Sequence, residues 1–405
     1  MIKETPLAAD ITETTCSYCS VGCSLKLESY GDLLIKANPD KDGVVNKGLI
    51  CGKGKWGFDC SVLEGKIEDP LVKEDGRFRE ADYHEATVLI AKRMQTIGAK
   101  YGKNAIAVAI SDRYTNEEAY AMKRMAEVMG AKVLCMNNRA NGLAEVLGFD
   151  ASPNTIDELL STNVILRVGF EDNDSRVISL KMKQAAEAGA NVINLCNGEN
   201  DLGFLKEIAK AIVDSGKAKK VEGYDEFAAS VANVKVSDEA KAIADTYLAA
   251  KKAMIVYQQN FLTVDGAKLV GDIAMLSGHI GSPRNGILMV KPKNNSQGLI
   301  DMGITAGREA LEGVKALVVF GENADIDTTG LEFLAVCDTH MTELAEKANV
   351  VIPGTGFASA DGTYTNTERR LQPVTAAIDE DILFTNWEVA AEVASVFEVE
   401  FGWDT

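Results

Sequence analysis

The stretch CSYCSVGC at residues 16–23 places three cysteines in a C-x2-C-x3-C pattern, and Cys51 follows after a gap of 27 residues. Three closely spaced thiolates completed by a distant fourth are typical of an iron–sulfur cluster. A structural zinc site also uses four thiolates, but it usually joins two short pairs, and Cys51 is near only one other cysteine, Cys60. The pattern favours a [4Fe-4S] cluster, with zinc as the alternative, and predicts four ligands: Cys16, Cys19, Cys23 and Cys51.

The composition limits the classes of function. The 405 residues are 46% apolar, carry a formal net charge of -18 and give a pI of about 4.8. Because nucleic-acid binding needs a basic surface, no nucleic-acid partner is expected. No apolar run is long enough to cross a bilayer, and residues 1–6 lack the apolar run of a secretory signal. We therefore expect a cytoplasmic protein without direct membrane insertion, in which three further cysteines are reduced, buried thiols: Cys135, Cys196 and Cys337.

The chain divides into an N-terminal module and a longer alternating part. Residues 1–62 contain the cysteine pattern and two predicted strands, 24–28 and 33–37, joined by a turn at Gly31. From residue 105 onward, apolar strand-like runs alternate with helix-like segments, one of which opens with a capping box at Thr115 and closes at Gly130. Such alternation is typical of parallel sheets covered on both faces. The fold class predicted is α/β, with a β-rich [4Fe-4S] domain followed by two doubly wound domains that bind ligands at strand ends.

The run CGKGKWG at residues 51–57 contains a literal G-x-G-x-x-G. It follows a predicted cluster ligand and not a strand, so a dinucleotide-binding loop is not favoured. We predict that the Lys53 ammonium lies near the negatively charged cluster and tunes its reduction potential. The alternative is that Lys53 and Lys55 are ordinary solvated lysines.

With the cysteine pattern and the Cys51–Gly54 segment, the chain resembles the start of the molybdopterin oxidoreductase superfamily, which includes formate dehydrogenase large subunits and the large iron–sulfur subunit of complex I. Further similar motifs follow in the family's order and cover nearly the whole chain. They are IEDPL at 67–71, YG at 101–102, TNEEAY at 115–120, GHIGSP at 278–283, NNSQGLIDMG at 294–303 and DGTYTNTERRLQ at 361–372.

The resemblance implies a cluster domain at 1–62, an α/β domain made of 63–140 and 286–405, and an inserted Rossmann-like domain at 141–285. It also implies two kinds of cofactor: the [4Fe-4S] cluster, and molybdopterin guanine dinucleotide between the α/β domains. For any one matching residue, the alternative is a polar group that ends a loop. The cofactor-binding positions carried over, in addition to Lys53, are Gly321, Asn323, Asp338, Thr342, Asn366 and Arg370.

Two departures from the family pattern bear on function. Catalytic members carry a cysteine, selenocysteine, serine or aspartate shortly after an arginine, whereas here Arg139 is followed by Asn141, a poor ligand for molybdenum or tungsten. The chain also ends after a predicted helix, where catalytic members continue into a barrel. We therefore expect a degenerate metal site and no catalytic residue.

The leading hypothesis is a [4Fe-4S] electron-transfer and scaffold subunit of a multi-subunit cytoplasmic oxidoreductase of NADH dehydrogenase, formate dehydrogenase or electron-bifurcating type. Its expected partners are other iron–sulfur or flavin subunits. One alternative is a catalytic Mo/W bis-guanine-dinucleotide subunit that acts on formate or a similar one-carbon substrate, with the lid domain on another subunit. A zinc-stabilised binding protein is the third hypothesis.

Overall fold

The computed structural model describes residues 9–58, 65–137, 142–195, 201–380 and 382–403. Within these ranges there are sixteen strands. They are β1 (Asp10–Thr15), β2 (Ser24–Tyr30), β3 (Leu33–Pro39), β4 (Leu71–Glu74), β5 (Arg77–Glu80), β6 (Ile106–Ile110), β7 (Lys132–Leu134), β8 (Val164–Val168), β9 (Asn191–Leu195), β10 (Ala253–Gln258), β11 (Gly286–Val290), β12 (Ala316–Phe320), β13 (Phe333–Asp338), β14 (Val350–Pro353), β15 (Gly362–Thr365) and β16 (Leu371–Val374).

Twelve α-helices lie in the same described ranges, and none is long and apolar enough to cross a bilayer. They are α1 (Gly52–Trp56), α2 (Tyr83–Tyr101), α3 (Asn116–Met129), α4 (Gly142–Leu147), α5 (Arg176–Glu187), α6 (Asp201–Asp214), α7 (Tyr224–Val231), α8 (Asp238–Ala249), α9 (Val264–Ser277), α10 (Ser296–Asp301), α11 (Glu343–Lys347) and α12 (Asn386–Ser395).

The N-terminal domain is built on a three-stranded antiparallel sheet in the order β1-β2-β3. Alternate residues of β2, including Leu25 and Leu27, are buried, so one face of the sheet packs inward. Gly31 adopts φ +56° between β2 and β3, which confirms the predicted turn. The loop between β1 and β2 carries three of the four cysteines. Because β1 and β2 pair with each other, they fix both ends of this loop.

A four-stranded parallel sheet has the order β11-β10-β8-β9. Its central strand β10 is buried along its whole length, because α6, α8 and α9 cover one face and α5 covers the other. The cluster loop packs on the α5 side: Cys16, Val21 and Cys23 share a core with Ile165 and Met254. Burial of the cysteines is thus a consequence of docking the N-terminal domain onto this sheet.

A seven-stranded sheet has the order β5-β4-β14-β13-β12-β6-β7, with five parallel strands and an antiparallel edge formed by β4 and β5. Helices α2, α3 and α12 cover one face, and α11 packs against the other. Both parallel sheets are covered on their two faces, so the predicted fold class is confirmed. The capping box of α3 at Thr115 and its left-handed end at Gly130 are also present as predicted.

Two details differ from the sequence prediction. Strand β11 pairs with β10, so the predicted boundary at residue 285 separates this strand from the sheet to which it belongs. The polar composition of segment 217–237 favours a surface connection between helices, but the segment contains α7, because Val231 is buried and anchors this helix. The division into three domains otherwise stays a prediction.

Candidate functional site

The cysteine loop is held by its own backbone and by the hairpin β15–β16. Within the loop, the Cys16 N–H donates to the Cys23 carbonyl at 2.9 Å. From the hairpin, the Asn366 amide donates to the Val21 carbonyl at 3.0 Å, and the Gln372 amide donates to the Gly22 carbonyl at 2.6 Å. The segment 361–372 therefore braces the loop that carries three of the predicted ligands.

Gly22 is required at the centre of this loop. Its φ of +68° is disfavoured for side-chain-bearing residues, and a Cβ there would lie 1.8 Å from the Gln372 Oε1 atom. The fourth cysteine, Cys51, caps α1, with its Sγ accepting from the Gly54 N–H at 3.5 Å. A Cβ on Gly54 would lie 3.6 Å from the Cys16 Sγ, so the first turn of α1, which Cys51 caps, packs close to Cys16.

Burial strongly disfavours ionised thiols in this loop. It raises the pKa of Cys16 to about 12 and the pKa of Cys19 to about 11, and it raises the pKa of Cys23 well above its ordinary value. The charges of neighbouring cysteines raise the pKa of Cys16 and of Cys23 further, because the sulfurs lie near one another. A metal centre is the kind of partner that stabilises such thiolates, because it supplies positive charge and direct ligation. The all-sulfur donor set fits an iron–sulfur cluster.

The geometry bears on the zinc alternative. Over the described part of the chain, no group of three or more His, Cys, Asp or Glu side chains is arranged to hold a metal ion. A single zinc ion needs sulfurs about 2.3 Å from the metal, and hence about 3.8 Å from one another in a tetrahedron. A four-iron cluster is larger than one ion and holds its ligands farther apart. The preference for a cluster over zinc rests on the sequence pattern of three closely spaced cysteines and a distant fourth.

Each of the three thiols of the loop, Cys16, Cys19 and Cys23, is near a different cation. Arg113 opposes the rise in the pKa of Cys16 that burial causes, Lys53 does so for Cys19, and Lys181 does so for Cys23. Arg113 follows β6, Lys53 lies in α1 and Lys181 lies in α5, so three separate elements deliver the positive charges. Lys53 is solvent-exposed and near Cys19, and its effect on the cluster stays a prediction.

A cavity of about 310 Å³ separates the cysteine loop from the seven-stranded sheet. Because β6, β12 and β13 are parallel and in register, the residues that follow them meet at one edge of the sheet. Those residues include Arg113, Gly321 and Asp338, and they line the cavity opposite Ser17 and Tyr18 of the loop. Gly321 is needed here, because a Cβ would lie 2.6 Å from the Tyr114 ring.

The same cavity contains buried acceptors that lack partners. The Glu380 carboxylate is buried; among described residues it has only Lys66 as an ion-pair partner, at 3.4 Å, and no hydrogen bond. The His340 Nε2 atom also has no partner in the described structure. Burial raises the pKa of Asp338 and of Glu118, which line the same cavity. These groups fit the N–H edge of a polar heterocycle such as a pterin.

A second cavity, of about 270 Å³, lies on the other side of Tyr18 and Arg113, which line both cavities. Its other walls include Lys53 and two lysines that follow β11, Lys291 and Lys293. Burial lowers the pKa of Lys291, which is ion-paired with Asp150. A cavity lined by four basic side chains fits an anionic group such as a pyrophosphate.

The remaining predicted cofactor positions lie outside these two cavities. Asn366 is fully buried, and its amide is used to brace the cysteine loop and the turn at Glu368 and Arg370. Arg370 is ion-paired with Glu368 at 2.9 Å. Thr342 caps α11, and Asn323 is exposed after β12. Their role in cofactor binding stays a prediction, whereas Gly321 and Asp338 line the first cavity.

Residues 138–141, on which the predicted loss of the metal ligand depends, lie outside the described residues. The adjacent Asn137 amide donates to Asp112 Oδ1 at 2.9 Å and to Glu322 Oε2 at 3.1 Å. Burial raises the pKa of both carboxyl groups. The negative charge of Asp112 raises the pKa of Glu322 further, and Lys293 opposes the rise in both. Cys196 also lies outside the described residues, whereas Cys135 and Cys337 are buried thiols as predicted.

Sequence reasoning missed several residues of the site: Tyr18, Arg113, Lys181, Lys291 and Glu380. A signal existed for Arg113 and Lys291, because each comes within three residues of the end of a buried parallel strand, where ligand-binding loops are expected. No local signal marks Lys181, which lies in a helix of mixed polar and apolar residues and is buried only by tertiary packing.

Comparison with known proteins agrees with this architecture. The sequence model described as "Molybdopterin oxidoreductase" matches residues 66–394, and the one described as "Molybdopterin oxidoreductase Fe4S4 domain" matches residues 9–60. Acetylene hydratase from Pelobacter acetylenicus has a similar fold, with a TM-score of 0.77 and 14% sequence identity over 97% of this chain and 70% of that chain.

Two curated relatives are similar along most of the chain. "Probable oxidoreductase YjgC" of Bacillus subtilis (strain 168) is 24% identical over 97% of this chain and 49% of its own length. "F420-dependent formate dehydrogenase 2 subunit alpha" of Methanococcus maripaludis is 27% identical over 91% of this chain and 67% of its own length. The chain thus spans about half of the first relative and about two thirds of the second.

Proposed function

Because this chain belongs to the molybdopterin oxidoreductase family, we propose that it is the [4Fe-4S] electron-transfer and scaffold subunit of a multi-subunit oxidoreductase. The complex would be of NADH dehydrogenase, formate dehydrogenase or electron-bifurcating type, with iron–sulfur or flavin subunits as partners. The name of the methanogen relative, a subunit alpha, supports an assembly of several chains. Reduced cysteines favour the cytoplasm as its location.

One contrast carries this proposal. The four predicted cluster ligands are all present, their thiols are grouped, and a cation from a separate element lies near each of the three most buried ones. The sequence from Asn137 to Leu143, in contrast, contains no thiol, hydroxyl or carboxylate to bind molybdenum or tungsten. The chain therefore keeps the residues for electron transfer and lacks an evident ligand for substrate chemistry.

A bound [4Fe-4S] cluster supplies one-electron redox chemistry. The chain's own residues make this possible by excluding water and by balancing charge. Docking on the four-stranded sheet buries Cys16 and Cys23, and the β15–β16 hairpin fixes the loop between them. Arg113, Lys53 and Lys181 would stabilise the reduced, more negative state, because a nearby positive charge lowers the free energy of an added electron.

The two cavities favour a second candidate, a catalytic subunit with Mo/W and guanine-dinucleotide pterins that acts on formate or a similar one-carbon substrate. In that case Asp338 and Glu380 would accept hydrogen bonds from a pterin, and Lys293 and Arg113 would hold a pyrophosphate. Each cavity lies at or below the lower end of the usual range of ligand pockets, about 300–1,000 Å³. Their size therefore gives this candidate less support than the electron-transfer role.

The test is a redox titration of the anaerobically purified chain, followed by electron paramagnetic resonance, together with nucleotide analysis after acid denaturation. We expect one signal typical of a reduced [4Fe-4S] cluster and no released guanine nucleotide. Guanine nucleotide in about a twofold ratio to the chain, the content of a bis-dinucleotide site, would replace the leading proposal with the catalytic one.

A further inference from the structure

The cluster site has one thinly covered side. Cys16 and Cys23 are each only 6% exposed, whereas Cys19 and Cys51 are half-buried. Helix α1 begins immediately after Cys51, and its first residues, Gly52 and Lys53, are exposed. The surface of α1 is therefore a short route from solvent to the predicted ligands.

This surface carries a large apolar side chain beside fixed positive charge. Trp56, at the end of α1, is 65% exposed. The Lys55 ammonium lies 5.6 Å from the centre of the Trp56 ring and donates to the Ala37 carbonyl at 2.6 Å and to Asn38 Oδ1 at 2.8 Å. These bonds hold α1 against β3, which also carries the exposed Lys36. We call Lys36, Lys55 and Trp56 the α1 patch.

The sign of the charge is unusual for this chain. The whole protein has a net charge of -18, whereas residues 36–56 contain five lysines and only two aspartates, a net charge of +3. Within the described structure, Lys55 is in no ion pair, and Lys36 has one at 3.7 Å with Glu28. A basic surface on an acidic protein attracts acidic partners, and it steers them to the side where the cluster ligands are nearest to solvent.

We propose that the α1 patch is the docking surface for an acidic electron carrier of the ferredoxin class. This inference depends on the proposed electron-transfer function and names the chemistry of its partner. A [4Fe-4S] cluster held by Cys16, Cys19, Cys23 and Cys51 would accept one electron from the reduced iron–sulfur centre of the docked carrier, which would be oxidised by one electron with no proton transferred. Trp56 supplies the buried apolar contact, since tryptophan is enriched at the energetic centre of interfaces, and the lysines supply orientation.

The size of the patch suits a transient encounter. Weak electron-transfer complexes bury less than about 1,200 Å² and depend on charge for their association rate. Helix α1 and the neighbouring part of β3 are short, so a partner would contact few residues and release quickly. A second copy of this chain is a less suitable occupant, because two chains of net charge -18 repel each other.

The experiment measures the rate at which a reduced, acidic [2Fe-2S] ferredoxin transfers electrons to the cluster-loaded chain by anaerobic stopped-flow absorbance. Two variants change the patch, Lys36→Glu and Trp56→Ala, and Lys36→Gln serves as a milder charge change. Matched controls are Lys241→Glu on α8, a lysine 64% exposed, and Leu383→Ala, an apolar side chain 73% exposed. Dithionite reduction of every sample shows directly whether its cluster is intact.

At low salt, we expect Lys36→Glu to slow the transfer by about tenfold, Lys36→Gln by less, and each control by less than about twofold. The effect of Lys36→Glu should shrink at high salt, because salt screens exposed charges. Trp56→Ala should slow the transfer by about tenfold at both salt concentrations, because it removes an apolar contact.

Patch variants that react as fast as their controls would overturn the docking proposal, and so would a wild-type chain that dithionite reduces but the ferredoxin does not. Dimers that dissociate in Trp56→Ala, detected by light scattering, would make the patch a contact between copies and overturn the proposal as well. Failure of the electron-transfer function is distinguishable, because dithionite would then reduce no cluster in any sample.

Discussion

Lys181 and Asp157 form a partly buried ion pair beside the cysteine loop: the Lys181 side chain is only 2% exposed, and the half-buried Asp157 carboxylate also binds Lys47 at 2.8 Å. Asp157 thus joins the α5 helix to the N-terminal domain. Burial of a lysine costs free energy, and the pairing offsets this cost. The pair also places an ammonium group near Cys23, so it has an electrostatic role at the cluster.

We predict that Lys181→Met lowers the midpoint potential of the cluster and that Asp157→Asn raises it, each on the order of 50 mV. Removing a nearby positive charge disfavours the reduced state, and removing a negative charge favours it. A potentiometric titration followed by electron paramagnetic resonance measures both shifts. Lys47→Met is the matched control, since its lysine is exposed and screened, and it should shift the potential less. Shifts of the same sign in Lys181→Met and Asp157→Asn would indicate a general loss of structure instead.

Lys53→Met should also lower the midpoint potential, because Lys53 lies near Cys19. The shift should be smaller than that of Lys181→Met, since Lys53 is exposed and water screens its charge. The same titration measures it. An unchanged potential would make Lys53 an ordinary surface lysine, the alternative considered from the sequence.

Cys19→Ala should abolish the cluster and destabilise the N-terminal domain, because a small metal-binding module takes much of its folding free energy from the metal. Iron content and the thermal unfolding temperature measure the two effects. Cys337→Ala is the control, since this buried thiol belongs to the seven-stranded sheet and not to the cysteine loop, and it should keep full iron and lose about 1 kcal/mol. Full iron content in Cys19→Ala would contradict the ligand assignment.

Gly22→Ala should destabilise the chain by at least about 3 kcal/mol and reduce its iron content, because the added Cβ would clash with Gln372 in addition to straining the backbone. Gly216→Ala isolates the backbone contribution: its φ of +70° is similar, and its Cβ would meet nothing within 4 Å. We expect that control to lose about 1 kcal/mol and to keep its iron. Denaturant unfolding compares the two, and equal losses would show that the hairpin contact is unimportant.

Glu118 makes stability depend on pH. Burial raises the pKa of this carboxyl above its ordinary value of 4.5, whereas the Asn386 amide, at 2.7 Å, opposes the rise. The folded chain therefore binds a proton that the unfolded chain has released, so this contribution to stability is full below pH 4.5 and is lost as the pH rises through the raised pKa. The free energy of unfolding of Glu118→Gln, relative to that of the wild type, should therefore increase as the pH rises from 5 to 8. Denaturant midpoints at the two pH values test this, and a constant difference would contradict it.

The sequence predicted the sheets well because their strands are continuous apolar runs. The alternation of apolar strands and helices that was predicted from residue 105 onward is present from β6 to β14. The boundary near residue 285 was placed wrongly relative to β11, since this strand is short and pairing partners cannot be read from composition. The sequence did not predict α7, because its segment is polar and one buried residue is too weak a pattern to indicate a helix.

The site was predicted only in part. The cysteine spacing predicted a ligand set, which stays a prediction, and the family resemblance supplied Gly321 and Asp338, which line the first cavity. The cations Lys181 and Lys291 were missed, because a buried lysine has the same local sequence pattern as an exposed one and differs only in its tertiary partners, Asp157 and Asp150. Asn366 was predicted to bind a cofactor, and its amide bonds show a bracing contact with the cysteine loop that no spacing rule reveals.

Elemental analysis of the natively purified complex distinguishes a [4Fe-4S] electron-transfer subunit from a substrate-converting one. We expect about four iron atoms per copy of this chain, bound by Cys16, Cys19, Cys23 and Cys51, and neither molybdenum nor tungsten bound to the chain. Molybdenum or tungsten in a one-to-one ratio with the chain would contradict the claim that its substrate-converting centre has been lost, and zinc in place of iron would contradict the electron-transfer role itself.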